Sequence, residues 1–401
     1  MSHLRARVVS MENFDVIQAL ARTALAGNPE AIEHQVTRLA ERLAESGDDG
    51  SARKLRSLIT RARNRQAVEP INLQPSDIAT APPTAQRLGP KTALPVDRES
   101  GAPLCEVLAP DRRRALPVLP VHAQAAYDSL VREWQHEAEL AQVGLPISRT
   151  LLIYGPPGTG KTTLALAIAA RLGRPAVIAR LDGLISSLLG NTARNLGALF
   201  DFCNRYDCVL ILDEFDAVAK IRDDANEVGE IKRVVNALLQ NLDKRTEFGL
   251  TIAVTNHEKL LDSAVWRRFE HQIQLGMPTY EGRVEIGHLL LDRLEEVDPL
   301  AKTVASVTSG RSGADVRTLA MAFLKSTVLA TQDIRSPVTV LREAAQATGI
   351  QGVDGLDSTD QELAKHLNEP PAALTQGELG VIFGRDRKTI SRWLNPSEVK
   401  V

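Results

Sequence analysis

The chain has 401 residues, 43% of them hydrophobic, 24% charged and 4% aromatic, and a net charge of −2. That length admits two or three domains, and that balance excludes a protein that binds nucleic acid through bulk charge. Cys105, Cys203 and Cys208 lack metal-ligand spacing and read as reduced thiols. The start of the chain has no apolar signal-peptide core, and no apolar run approaches the ~20 residues a bilayer requires. A cytoplasmic chain without membrane contact is the expectation.

Residues 1–66 predict an N-terminal helical domain. Phe14, Ile17, Leu20 and Leu25 share roughly one helical face, and Asn28-Pro29 suits a cap and first turn. A third helix, with Leu55, Leu58 and Ile59 as its apolar stripe, is basic through Arg53, Lys54, Arg56, Arg61, Arg63 and Arg65. That face is either solvated or a dock for an acidic partner. Residues 67–120 are rich in Pro, Ala and Thr without periodicity and read as an extended linker, parts of which could lie along the next domain.

From 121 to 280 strands alternate with helices, which predicts a parallel sheet covered on both faces. The strand TLLIY leads into GPPGTGKTT at 155–163, a G-x-x-x-x-G-K-[ST] loop placed between strand and helix. Gly155, Gly158 and Gly160 let the backbone curl around phosphates, with Pro156, Pro157, Thr159 and Thr163 completing the cradle. Lys161 supplies a cation for the β and γ oxygens, and Thr162 a hydroxyl for Mg²⁺. The strand CVLILD then ends in Asp213, a second Mg²⁺ ligand, and Glu214 is placed to activate water as general base. Asp216 reads as structural. LTIAVTN ends in Asn256, an amide that could orient the water or touch the γ-phosphate.

GPPGTGKTT, LILDEFD (210–216) and TNHEKLLDSAVWRRFE (255–270) together resemble the AAA family of ATPases, over roughly residues 121–330. The resemblance implies a P-loop sheet of α/β class (121–280) followed by an α-helical lid (281–345), with ATP and Mg²⁺ as cofactors and ATP hydrolysis as the activity. It further implies that Arg267 and Arg268 reach the nucleotide of the next subunit in a ring homo-oligomer, a hexamer, where they offset charge on the transferring phosphoryl group. The alternative is a pair of local ion pairs to Glu270 and Asp262. Ala314 occupies the position where other lineages place an arginine sensor, so the lid is expected to meet the nucleotide through backbone and packing. LISSLLGNTARNL (184–196) matches the segment that lines the pore in AAA motors, with Leu188 where an aromatic grips polypeptide.

Residues 346–401 predict a C-terminal helical region whose stretch 375–395 fits a helix-turn-helix. Leu379, Val381 or Ile382, Phe383, Ile390, Trp393 and Leu394 would pack inside, leaving Arg387, Lys388, Thr389, Ser391 and Arg392 for DNA or for a protein surface. The layout resembles bacterial AAA ATPases paired with subtilisin-like serine proteases. The reading is therefore an ATPase that remodels or switches a macromolecular partner, expected to be protein. A DNA-associated ATPase and a nucleotide-gated scaffold for such a protease are the alternatives.

Overall fold

The computed structural model describes residues 36–43, 50–53, 55, 88–89, 92–97, 100–181, 189–217, 228–245, 249–329, 335–350 and 355–395. The chain divides into two compact units, 1–83 and 84–401. In the first, residues 36–43 and 50–53 are helical, with Ala40 and Ala52 buried. The stripe at Phe14 to Leu25, most of the basic third helix, and Leu188 fall outside the described residues.

The second unit is built on six strands: β1 (Glu106–Leu108), β2 (Thr150–Tyr154), β3 (Ala176–Arg180), β4 (Val209–Asp213), β5 (Thr251–Thr255) and β6 (His271–Gln274). Their order is β1-β3-β4-β5-β2-β6, with β2 to β6 parallel and β1 antiparallel to β3. β2, β4 and β5 are apolar almost throughout, because in the middle of a parallel sheet successive side chains enter opposite cores. Leu151, Ile153, Val209, Ile211, Ile252 and Val254 face one core, with α1 (Val121–Gln135) and α3 (Lys161–Arg171). Leu152, Leu210, Leu212 and Ala253 face the other, with α4 (Leu189–Cys203) and α5 (Val228–Arg245). The short α2 (Glu137–Gln142) follows α1 after a break at His136.

The expected linker gives way to folded structure before residue 120. β1 hydrogen-bonds along β3 and covers an edge that would otherwise present unpaired backbone groups. Asp97, 6% exposed, accepts a hydrogen bond from Asn195 Nδ2 on α4 and another from Ser100 N at 2.7 Å. Leu116 and Leu119 pack into the core around α1 and α3. Composition alone hid this, since Pro-rich backbone pairs at an edge as readily as it runs free.

The boundary expected at 345/346 does not separate two cores. After α6 (Ser263–Trp266) and β6, the chain forms α7 (Tyr280–Leu291), α8 (Val297–Val307), α9 (Gly313–Leu329), α10 (Pro337–Thr348), α11 (Asp360–Asn368), α12 (Gln376–Phe383) and α13 (Arg387–Leu394). Val304, Leu319, Phe323 and Leu341 of the lid share one cluster with Leu363, Leu379, Ile382, Phe383 and Ile390. Lys302 Nζ lies 3.1 Å from Glu378 Oε1, and Arg342 Nη1 2.6 Å from Asp360 Oδ1. The helix pair 376–394 is thus a built part of the lid. Thr375 and Glu378 form a capping box on α12, and Asp386 caps α13.

Arg245, at the end of α5, is 1% exposed. It donates to Thr251 Oγ1 at 3.1 Å, Asn204 Oδ1 at 3.2 Å and the Cys208 carbonyl at 3.0 Å, tying α5 and α4 to the starts of β4 and β5. Cys105, Cys203 and Cys208 are all buried and unbridged. Arg245→Met fills the space but strands the buried acceptors on Thr251 and Cys208 and the part-buried one on Asn204. It is expected to destabilise the protein by about 3 kcal/mol, read as a lower urea midpoint at unchanged slope.

Candidate nucleotide site

The site forms where β2 runs out of apolar residues. Gly155 takes φ +140, and a Cβ there would lie 2.0 Å from the Leu275 carbonyl oxygen at the end of β6. Only glycine lets that strand end close on the loop. Gly158, at φ +77, has the lid against it: a Cβ would lie 2.6 Å from Ser312 Oγ and 3.2 Å from Ala314 Cβ. The Ala314 N–H donates to the Gly158 carbonyl at 3.0 Å. The start of α9, which carries the positive end of its helix dipole, is therefore seated on the loop.

Lys161 is 5% exposed and donates through Nζ to the carbonyls of Gly155 at 2.9 Å and Pro156 at 2.6 Å. Burial pulls its pKa down, and the carboxylates of Asp213, Asp216 and Glu258 oppose that. Thr159 Oγ1 donates to the Pro156 carbonyl at 2.9 Å, closing the curl. Gly160 ends it at φ +94 and α3 begins.

β4 delivers Asp213, whose Oδ2 accepts from Thr162 Oγ1 at 3.1 Å. The next residue departs from ordinary geometry. Glu214 has φ +54, in the left-handed region a β-carbon disfavours. The cause is on either side of it. The Glu214 N–H donates to Asp213 Oδ1 at 2.9 Å, and the Phe215 N–H returns to the Val254 carbonyl at 2.8 Å, so the chain must turn within one residue. Phe215 is buried, and Glu214 projects into the cleft with its Oε1 3.3 Å from Arg180 Nη2 at the end of β3. Asp216, 3% exposed, accepts from Thr255 Oγ1 at 3.1 Å and from the Asn256 N–H at 3.4 Å. It fixes the turn that presents Asn256.

These groups border one cleft of about 830 Å³. Residues 157–163 line it, together with Asp213, Glu214 and Asn256. Gly155 and Pro156 lie beneath, as acceptors for Lys161. Arg267 and Arg268 do not line it. Another part of the lining is apolar: Leu116, Pro117 and Val118 from the strap before α1, with Ile286, Leu289 and Leu290 of the lid. Leu289 stands 59% exposed there. The lid also contributes a side chain that was not expected. Arg317 lies on α9 three residues after Ala314, on the same helical face, and lines the cleft together with Arg114 of the strap. The i, i+3 spacing was available in the sequence; which face turns inward was not.

The two arginines after α6 sit elsewhere. Glu270 Oε2 accepts from the Arg149 N–H and, at 3.3 Å, from the Thr150 N–H, which places the 267–270 turn near the start of β2, away from the loop that follows its other end. Arg268 Nη1 donates to the Ala264 carbonyl at 2.8 Å. Its Nε lies 3.3 Å from Asp243 Oδ1, off the line a hydrogen bond requires. The local carboxylate is therefore Asp243. Asp262 instead caps α6 through the Val265 N–H. Arg267 is exposed.

A glycine loop that follows β2, the strand inserted out of chain order between β5 and β6, and leads into a helix beside a strand that ends in carboxylates, defines a P-loop nucleoside triphosphatase. The family described as "ATPase family associated with various cellular activities (AAA)" matches residues 151–277. "Uncharacterized AAA family ATPase y4kL" of Sinorhizobium fredii is 36% identical over 255 residues, 62% of this chain and 76% of that protein. A proteasome-activating nucleotidase of Thermococcus kodakarensis is 31% identical over 242 residues, 58% of each chain. A putative 26S proteasome regulatory subunit homolog of Methanocaldococcus jannaschii is 34% identical over 173 residues, 42% of this chain and 47% of that one. The chain spans about half the length of these proteasome-related relatives. The crystal structure of the FIGL-1 AAA domain in complex with ADP aligns over 61% of this chain and 87% of that one, with a TM-score of 0.47 and 22% identity. The chain belongs to the AAA family of ATPases, and ATP hydrolysis is its activity. No helix among the described residues is long and apolar enough to cross a membrane.

Proposed function

We propose that the protein works as a ring homo-oligomer whose ATPase sites are each completed by a neighbour, and that nucleotide-driven opening and closing of the ring remodels a protein partner. The observation that carries this is the position of Arg267 and Arg268. They lie off their own cleft, and Arg267 is exposed, whereas among the described residues of the glycine loop itself Lys161 is the one cation. Cations placed this way serve a phosphate held by another copy.

Within one subunit, residues 157–163 bind the phosphate chain, Glu214 takes a proton from the attacking water, and Asn256 holds that water in line. Thr162 Oγ1 and Asp213 Oδ2 are 3.1 Å apart and converge beside the loop. They suit Mg²⁺, which takes few protein oxygens and leaves other positions to phosphates and water. Bound there, Mg²⁺ would offset the charge on the β and γ oxygens. The apolar part of the lining formed by Leu116, Pro117, Leu289 and Leu290 suits the adenine ring, and Arg317 and Arg114 stand beside it. Arg317→Ala is expected to raise KM for ATP about fivefold with little change in kcat or Tm, since the residue is exposed and lines the cleft without a structural role there.

Protein is the favoured partner class because the relatives that share this ATPase region include a proteasome-activating nucleotidase, and a partner protease falls within the same reading. The test is ATPase stimulation of the assembled ring by a permanently unfolded protein. An increase of several-fold supports it, and a rate indifferent to unfolded protein removes it. The second reading rests on α13, whose Arg387, Lys388 and Arg392 are exposed beside Arg385. Stimulation by duplex DNA that falls steeply with salt would favour that reading instead.

A further inference from the structure

Behind the strap that borders the nucleotide cleft lies a second concavity, of about 650 Å³. Three segments of chain put arginines into it: Arg112 and Arg114 from the strap, Arg132 from α1, and Arg171 from the last turn of α3. Asp128 is the one carboxylate in its lining, and Gln124 Nε2 already donates to it at 3.1 Å. Tyr127, 8% exposed, adds a phenol that burial keeps protonated and therefore a donor.

Among the described residues of the lining, four exposed arginines accompany one carboxylate, an excess of positive charge. Elsewhere the protein answers such charge locally, as in Arg149 with Glu137 at 2.7 Å and Arg174 with Asp207 at 2.9 Å. In this pocket Arg132 Nε has only the Asp128 carbonyl, at 3.4 Å. Guanidinium forks match phosphate oxygens in charge and geometry, and several of them converging in a concavity select a compact, multiply charged anion over an extended backbone. The pocket is also joined to the active cleft, because Arg114 and Leu116 line both. Pro117, next along the strap, stands 3.4 Å from where a Cβ on Gly160 would be.

We infer that this concavity is a second binding site, for a small phosphate-type polyanion of the diphosphate class, and that its occupant tightens nucleotide binding by holding the strap against the phosphate loop. The second clause rests on adenine lying at the strap; the first does not.

The test titrates inorganic diphosphate into the full chain saturated with ADP, so that the phosphate loop is already filled. The expected result is one further equivalent bound per chain, with affinity that weakens as salt rises. In the double variant R132Q/R171Q that affinity should fall about tenfold or more while ADP affinity stays within about twofold, which also shows that the variant is folded. Arg112→Gln, on a different segment, should weaken it in the same direction. Absence of binding beyond the ADP-saturated baseline, or binding that neither variant weakens, would overturn the site. If diphosphate binds and ADP affinity does not rise several-fold, the coupling through the strap is wrong while the site stands.

Discussion

Glu214→Gln is expected to abolish turnover almost completely while leaving ATP binding intact. The amide keeps the shape of the carboxylate and cannot take the proton of the attacking water, a contribution worth about 10²–10⁴ in rate. Affinity should be unchanged within about twofold, because the phosphate cradle is made by residues 157–163 and not by this side chain. The strained backbone sharpens the expectation. Residue 214 is held at φ +54 by the Glu214 N–H on Asp213 and the Phe215 N–H on Val254, neither of which involves its carboxylate. The variant should therefore fold with unchanged Tm. Single-turnover hydrolysis is the measurement. A rate within about threefold of the parent would show that Glu214 is not the base.

The second large effect concerns the arginines after α6. Arg267→Ala and Arg268→Ala should each slow hydrolysis about 10³-fold or more without preventing ATP binding. Arg268 has a local role that could mimic this, since it bridges the Ala264 carbonyl and Asp243. An exposed pair of that kind contributes about 0–1 kcal/mol to stability and nothing directly to catalysis. Asp243→Asn separates the two explanations: it breaks the local pair and should leave kcat nearly unchanged. Mixing gives the positive result. Arg268→Ala subunits retain their own Glu214, and Glu214→Gln subunits retain their arginines. Combined, the two inactive proteins should recover part of the parent activity at the interfaces where an intact half meets an intact half. No recovery, together with turnover per chain that ignores dilution, would mean that each subunit completes its own site.

Much of the site was legible from the chain alone, for a physical reason. A phosphate loop works through backbone N–H groups, so its chemistry is written in consecutive residues whose φ values only glycine tolerates, as at Gly155 and Gly158. The carboxylates are equally local, because the end of a buried strand is where a run of apolar residues must stop. Val209 to Leu212 are fully buried and Asp213 is not.

What the sequence left open were relations between distant residues. The Pro-rich approach to the ATPase module read as an extended linker, parts of which could lie along the next domain, without showing which parts; β1 and the strap are part of the sheet edge and of the cleft wall. The C-terminal helices read as a separate tail, yet Leu379, Ile382 and Ile390 lie in the same core as Val304 and Leu319. Ala314 in the place of a sensor implied a lid that meets the nucleotide through backbone and packing, yet the seating of α9 on Gly158 also brings Arg317 to the cleft lining.

The sequence by itself determined the fold class, the glycine loop, the neighbouring pair Thr162 and Asp213 proposed to hold Mg²⁺, and the presence of Glu214 and Asn256 in one chain, since each depends on local backbone preference and on hydrophobic period. Only the tertiary structure decided which residues from elsewhere close the cleft, that Arg267 and Arg268 stay off it, and that four arginines from three segments meet behind the strap. Those outcomes depend on which apolar faces bury one another across long separations in the chain, and packing at that range leaves no mark in neighbouring residues.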